Sequence, residues 1–151
     1  MSVGITMGKR DLYGKKNNIT KNGVAELISR SIGAGVTHFD TAQIYVSLSG
    51  MIFGTWFPLA QSSEKKMKLG LSENEGNWQV ATKVMKSGSK AQIKKKCYTS
   101  LRDMGVECID LYYLHRVDPK LPVEIAMEAM NELIEEGKIK YVGLSEASAE
   151  T

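Results

Sequence analysis

The sequence is poor in the residues that build covalent or metal-held scaffolds: its 151 residues include two cysteines and two histidines. Cys97 and Cys108 stand eleven positions apart and no CxxC pair exists, so a zinc site is not expected. Two thiols without a secretory signal fit a reducing compartment, and the cytoplasm is the expected location. The N-terminal MSVGITMGKRDLYGKK lacks the apolar core of a signal peptide. Asn18-Ile19-Thr20 is a glycosylation sequon that a cytosolic chain does not use. Long hydrophobic runs are also missing. The most apolar stretch, Val46 to Ala60, is fifteen residues long and contains Pro58 and two glycines. Spanning a bilayer takes ~20 residues, so no membrane partner is expected. Nor does charge of one sign dominate. Twenty basic residues against seventeen acidic give +3, too mild a balance to imply nucleic acid.

What is present is the composition of a soluble globular protein: 42% hydrophobic, 25% charged, three prolines. The length suits one ordinary domain. A complete eight-stranded (β/α) barrel takes at least ~200 residues.

From residue 20 onward the pattern alternates between helix and strand. Thr20 can cap a helix with apolar positions Val24, Leu27, Ile28 and Ile32, ended by Gly33 and Gly35. Residues 36–40 read as a strand, and 79–83 as another. Ala91 to Met104 carries a helical stripe through Ile93, Cys97, Leu101 and Met104. Residues 109–115 form an almost continuous apolar run, as expected for a strand buried on both faces of a parallel sheet. Pro122 opens the next helix, whose face is Val123, Ala126, Met127, Met130 and Ile134, and Gly137 stops it. Residues 141–145 are a further strand, and Val3 to Met7 a weaker one. Four or five strands separated by helices predict a parallel α/β architecture. The period agrees: Gln79 to Ile109 is 30 positions and Ile109 to Tyr141 is 32.

No GxGxxG follows a strand. Gly8 to Lys15 only loosely resembles a P-loop, with five residues between its glycines and Lys16 where a hydroxyl would bind magnesium. The lysine runs Lys65-Lys66 and Lys94-Lys95-Lys96 read as solvated helix faces, and Trp56, Phe53 and Phe57 as packing residues.

In a parallel α/β fold, chemistry gathers at the carboxyl ends of the strands. Each clear strand before residue 140 ends in an ionisable residue: Asp40, Lys83, His115. Tyr45 follows Asp40 by five positions. Any one of the four has a plain structural explanation, such as a cap, a solvated strand end or a packed ring. Together at one rim they form a coherent set for reducing a carbonyl. Hydride addition leaves an alkoxide that needs a proton. A phenol, with an ordinary pKa of about 10, is protonated at neutral pH and can supply it. A neighbouring ammonium stabilises the phenolate left behind. A carboxylate keeps that ammonium charged and fixed, and a neutral imidazole orients the carbonyl oxygen. Tyr45 is thus the expected acid, Lys83 its activator, Asp40 the lysine's partner and His115 the orienting donor. No side chain supplies hydride, so a nicotinamide cofactor is expected to. His38, of the same parity as Asp40, is expected to pack in the interior.

The sequence resembles the aldo-keto reductases. The resemblance rests on Phe39-Asp40-Thr41-Ala42 with Tyr45, on Ala81-Thr82-Lys83, on the run from Ile109 to Asp118, and on the run from Glu135 to Ser148. The last two runs are most similar to the plant and microbial branch that includes perakine reductase and the auxin-induced-protein-like reductases. The resemblance covers the chain from about residue 20 to the end, with one interruption. It implies a (β/α)₈ TIM barrel, of which the chain would hold the N-terminal part, about five of eight parallel strands. It also implies NADPH as cofactor and a small-molecule carbonyl substrate. The family's catalytic tetrad falls on Asp40, Tyr45, Lys83 and His115. Its cofactor contacts fall on Asp40, Thr41, Ser145 and Glu146.

Two departures stand out. Val46 occupies a position where the family usually has Gly, and residues 46–62 match nothing in its pattern, so they are read as an atypical apolar insertion. The chain also reaches only Thr151, before the basic loops that grip the NADPH phosphates. The isolated chain is therefore expected to be poorly soluble and to bind NADPH weakly or not at all. Two further readings remain. One is a truncated, catalytically inactive product. The other is a regulatory member like the potassium-channel β-subunits, which typically lack the active-site histidine. The presence of His115 with an intact tetrad favours the enzyme.

Overall fold

A computed structural model describes residues 21–43, 51–52, 55–56, 62–74, 76–85, 88–119 and 121–149. The expected strand at Val3–Met7, the Thr20 cap and the acid Tyr45 lie outside the described residues.

The order of elements is α1 (Lys21–Gly33), β1 (His38–Asp40), β2 (Met51–Ile52), β3 (Thr55–Trp56), α2 (Ser63–Ser72), β4 (Gln79–Val84), α3 (Lys90–Met104), β5 (Ile109–Leu114), α4 (Val123–Glu135) and β6 (Ile139–Leu144). β1, β4, β5 and β6 form one sheet in that spatial order, and all three pairings are parallel. β2 and β3 pair with each other as a separate antiparallel ribbon, within the stretch expected to be an insertion. The alternating α/β pattern read from the sequence is thus realised, with four parallel strands among the described residues.

The helices pack side by side in chain order, α1 on α2, α2 on α3 and α3 on α4. Alternate strand residues point to opposite faces. Val80 and Val84 of β4 and Tyr112 and Leu114 of β5 share the parity that meets the helices. They form one buried cluster with Val24, Ile28, Met67, Ile93, Cys97, Met104, Met130 and Leu133. The period-3.6 stripes of α3 and α4 therefore end up where the sequence places them. Ile134 is the exception, being exposed while Leu133 is buried. Ser89 opens α3 with a capping box, its side chain accepting from the Gln92 N–H while the Gln92 side chain accepts from the Ser89 N–H. Gly35 and Gly137, with φ of +85° and +67°, follow α1 and α4 in the left-handed conformation.

α2 was not expected from periodicity. Ser62 caps it by accepting from the Lys65 N–H. Its buried face is Ser63, Glu64, Met67, Gly70 and Leu71, of which only Met67 and Leu71 look apolar in the sequence. Gly70 is required by close approach: a Cβ there would lie 2.7 Å from Ile28 Cδ1.

Two expectations are corrected. His38 is exposed rather than packed, because β1 is an edge of the sheet and no described strand flanks its outer side. Lys94 is not simply solvated. It bridges to Glu132 at 2.9 Å and to Glu136 at 2.6 Å, tying α3 to α4.

Candidate active site

Because the four strands run in parallel, their carboxyl ends lie at one rim. Asp40 is the last residue of β1, and Lys83 is one short of the end of β4. His115 follows β5 and Ser145 follows β6 directly. The hydrogen-bond ladder continues one step past each strand. The Thr41 N–H donates to the Ala81 carbonyl, the His115 N–H to the Val84 carbonyl and the Ser145 N–H to the Leu114 carbonyl, each at 2.9 Å. These residues therefore sit in register and not on free loops.

The Lys83 ammonium donates to Asp40 Oδ1 across 43 positions of sequence, and to the Thr41 carbonyl at 3.1 Å. Lys83 is buried and Asp40 half-buried. The carboxylate and the carbonyl take the place of water that the ammonium loses on burial. The Tyr113 ring lies beside the same ammonium, 5.2 Å from centroid to Nζ, within the range of a cation–π contact. The register places Lys83 opposite Tyr113 and Tyr113 opposite Gly143. A Cβ at Gly143 would stand 2.5 Å from Tyr113 Cδ1, so the bare backbone of β6 makes room for the ring. Burial, and then the charge of Asp40, push the Tyr113 phenol above its ordinary pKa.

The half-buried His115 imidazole titrates below its ordinary pKa. Burial is the main cause, and the Lys83 charge adds to it, while Glu146 and Asp40 oppose. A neutral ring near neutral pH follows, able to donate one hydrogen bond without carrying charge.

Asp40, Lys83 and His115 are thus assembled at one rim, with Ser145 on the neighbouring strand end. Thr41 is close by but turned away: its hydroxyl lies behind the sheet, 2.5 Å from Ser63 Oγ. Glu146 is exposed and pairs with Arg116 at 3.0 Å, joining the segments that follow β6 and β5. Its φ is +55°, a left-handed conformation that a residue with a Cβ adopts only at a cost. Sequence reading missed Tyr113 as a neighbour of Lys83. Its parity with Leu111 was legible, but the cross-strand register was not. Among the described residues no group of acidic, cysteine or histidine side chains could hold a metal ion. Nor is any helix among them long and apolar enough to cross a membrane.

A parallel β/α succession with a lysine–carboxylate pair and a histidine at its carboxyl rim defines a class. The chain belongs to the aldo/keto reductase family, whose model matches residues 4–151. Among particular relatives, it is 40% identical over 149 residues to the aldo-keto reductase str7 of Strobilurus tenacellus, covering 98% of this chain and 41% of that protein. Among solved structures it is similar to the glycerol dehydrogenase of Gluconobacter oxydans, at 26% identity and a TM-score of 0.75. That match covers 99% of this chain and 45% of the other. An aldo-keto reductase of Klebsiella pneumoniae in complex with NADPH shares the fold, at 22% identity and a TM-score of 0.75, with 99% and 46% covered. The chain spans less than half the length of each of these three proteins.

Proposed function

We propose that this chain carries the proton-handling part of an NADPH-dependent reductase of aldehydes and ketones. The observation that carries the reading is the buried Lys83–Asp40 ion pair, with His115 on the next strand end. Asp40 and the Thr41 carbonyl fix the lysine, which keeps a positive charge beside the place where a phenolate would form. Tyr45, following Asp40 by five residues, gives its proton to the carbonyl oxygen as that oxygen becomes an alkoxide. His115, neutral and half-buried, donates a hydrogen bond to the same oxygen and sets its orientation.

The donor set fits a nicotinamide partner. An ammonium, a carboxylate and an imidazole handle protons and charge but contain no hydride source. A bound NADPH supplies the hydride. Asp40 and Ser145, at opposite ends of the rim, are the residues proposed to meet its nicotinamide end, with Thr41 and Glu146 beside them. The NADPH complex of the Klebsiella pneumoniae enzyme supports this cofactor. The proposed substrate is a small carbonyl compound, and the proposed compartment is the cytoplasm.

The test is NADPH oxidation with a panel of aldehydes. It uses this chain and a chimera continued with the C-terminal remainder of str7. Turnover is expected in the chimera, and Tyr45→Phe should lower it by about a hundredfold or more. Turnover that persists in Tyr45→Phe would sink the assigned acid. A chimera that binds NADPH yet never turns over would favour a regulatory or inactive member. Weak binding of NADPH is expected for the chain by itself, and a tight stoichiometric titration would refute that.

A further inference from the structure

Directly behind the rim, on the helix-facing side of the sheet, lies a group of buried polar side chains: Thr41, Ser63, Glu64, Thr82 and Ser100. None belongs to the tetrad. Their connections follow the chain in a specific way. Ser63 Oγ donates to the Ala42 carbonyl at 3.2 Å and lies 2.5 Å from Thr41 Oγ1, so it holds the segment that follows Asp40. Thr82 Oγ1 donates to Glu64 Oε1 at 2.7 Å, so Glu64 holds the residue that precedes Lys83. Ser63 and Glu64 are the first two residues of α2. Two consecutive side chains of one helix thus grip the two strands whose ends carry the ion pair.

We infer that Ser63 and Glu64 are positioning residues: they set the spacing of the β1 and β4 ends, and through it the contact of Lys83 with Asp40. The use of that contact in catalysis rests on the reductase reading above, but the spacing itself does not. The geometry favours this over simple core filling. Polar groups buried in a core contribute less than well-packed apolar ones unless every bond is made. Here the bonds made are strand-end bonds. Because alternate residues face opposite ways, fixing Thr82 on the helix side fixes the backbone from which Lys83 leaves on the other side. Burial, together with the nearby charge of Asp103, raises the Glu64 carboxyl above its ordinary pKa, against the bonds from Thr82 and Ser100. A protonated carboxyl still accepts from Thr82, so the grip does not need a charge.

The test reads Lys83 itself. The folded full chain is acetylated briefly with acetic anhydride, and labelling of Lys83 is quantified by mass spectrometry against exposed Lys95. In the native chain Lys83 is expected to react slowly, held by Asp40 and the Thr41 carbonyl. Thr82→Val and Ser63→Ala should each raise the Lys83/Lys95 ratio about fivefold, the weight of one buried hydrogen bond. Thr82→Ser and Glu64→Gln, which keep the donor and the acceptor, should restore the native ratio. Met130→Ala, in the core under α4, should lower the melting temperature without moving the ratio. A native ratio in both Thr82→Val and Ser63→Ala would overturn the proposal. So would an equal rise in Met130→Ala, or a Glu64→Gln chain that labels as fast as Thr82→Val. Absence of NADPH turnover in the chimera would defeat the reductase reading and leave these ratios unchanged.

Discussion

β5 and β6 are alike in length and in their end residues and nearly opposite in surroundings. Both begin with Ile and end with Leu, and both carry tyrosine between. β5 lies between β4 and β6, has helices on one face, and is buried or half-buried at every residue. Among the described strands β6 is paired with β5 alone, and beyond Ile139 each of its residues except half-buried Gly143 is exposed, Tyr141 to 67%. Burial is therefore conferred by neighbours and not by composition. Beside α4, Val142, Leu144 and Ile134 are apolar residues that stay exposed. Across the two strands, Lys140 of β6 bridges to Asp110 of β5 at 2.6 Å.

The sharpest way to break the comparison is to make the same change on both strands. Leu114→Ala is expected to cost about 3 kcal/mol and Leu144→Ala at most about 1, read from denaturant midpoints. Equal losses would mean that β6 is covered in solution. Next in size is Gly143→Ala, where the added methyl meets the Tyr113 ring. A loss of about 1–3 kcal/mol is expected, relieved when Tyr113 is also made Leu. No relief in the double variant would place the strain elsewhere. A third change belongs to the packed side. The folded-state pKa of Glu64 lies above its unfolded value of 4.5. The stability contributed by its protonated form is fully present below that value and is lost as pH rises through the folded pKa. Glu64→Gln should flatten this fall in a melting-temperature profile, and an unchanged slope would show that another group causes it. The smallest effect is expected at Tyr112, whose buried hydroxyl has no hydrogen-bond partner among the described residues. Tyr112→Phe should stabilise the chain by up to about 1 kcal/mol, and a loss would reveal a partner for that hydroxyl.

Much of the fold was legible because it repeats. The spacing of Ile93, Cys97, Leu101 and Met104 marks α3, and the apolar run at β5 marks a strand with two covered faces. The Lys65-Lys66 run hints at a helix, but the buried face of α2 was not legible because it is built of Ser63, Glu64 and Gly70, residues that read as surface. The Ser62 cap and the Met67–Leu71 spacing were the available signals. His38 was misread because parity assigns a face but not what stands against it. In the site, Asp40, Lys83 and His115 were visible as ionisable strand ends. Ser63, Glu64, Thr82 and Tyr113 were not, because nothing in their local sequence distinguishes them.

The succession of β and α units, their period and the residue types delivered to the ends of the strands are written in the order of the amino acids. Those properties follow from backbone geometry over a few residues, which the local pattern encodes. The pairing of Lys83 with Asp40 across 43 positions was already expected from the chemistry of the rim, whereas the burial of Glu64 behind them, and the covering of β5 where β6 is open, came from the folded arrangement. The latter two depend on register and packing between segments far apart in the chain, and no local pattern specifies which of them will be neighbours.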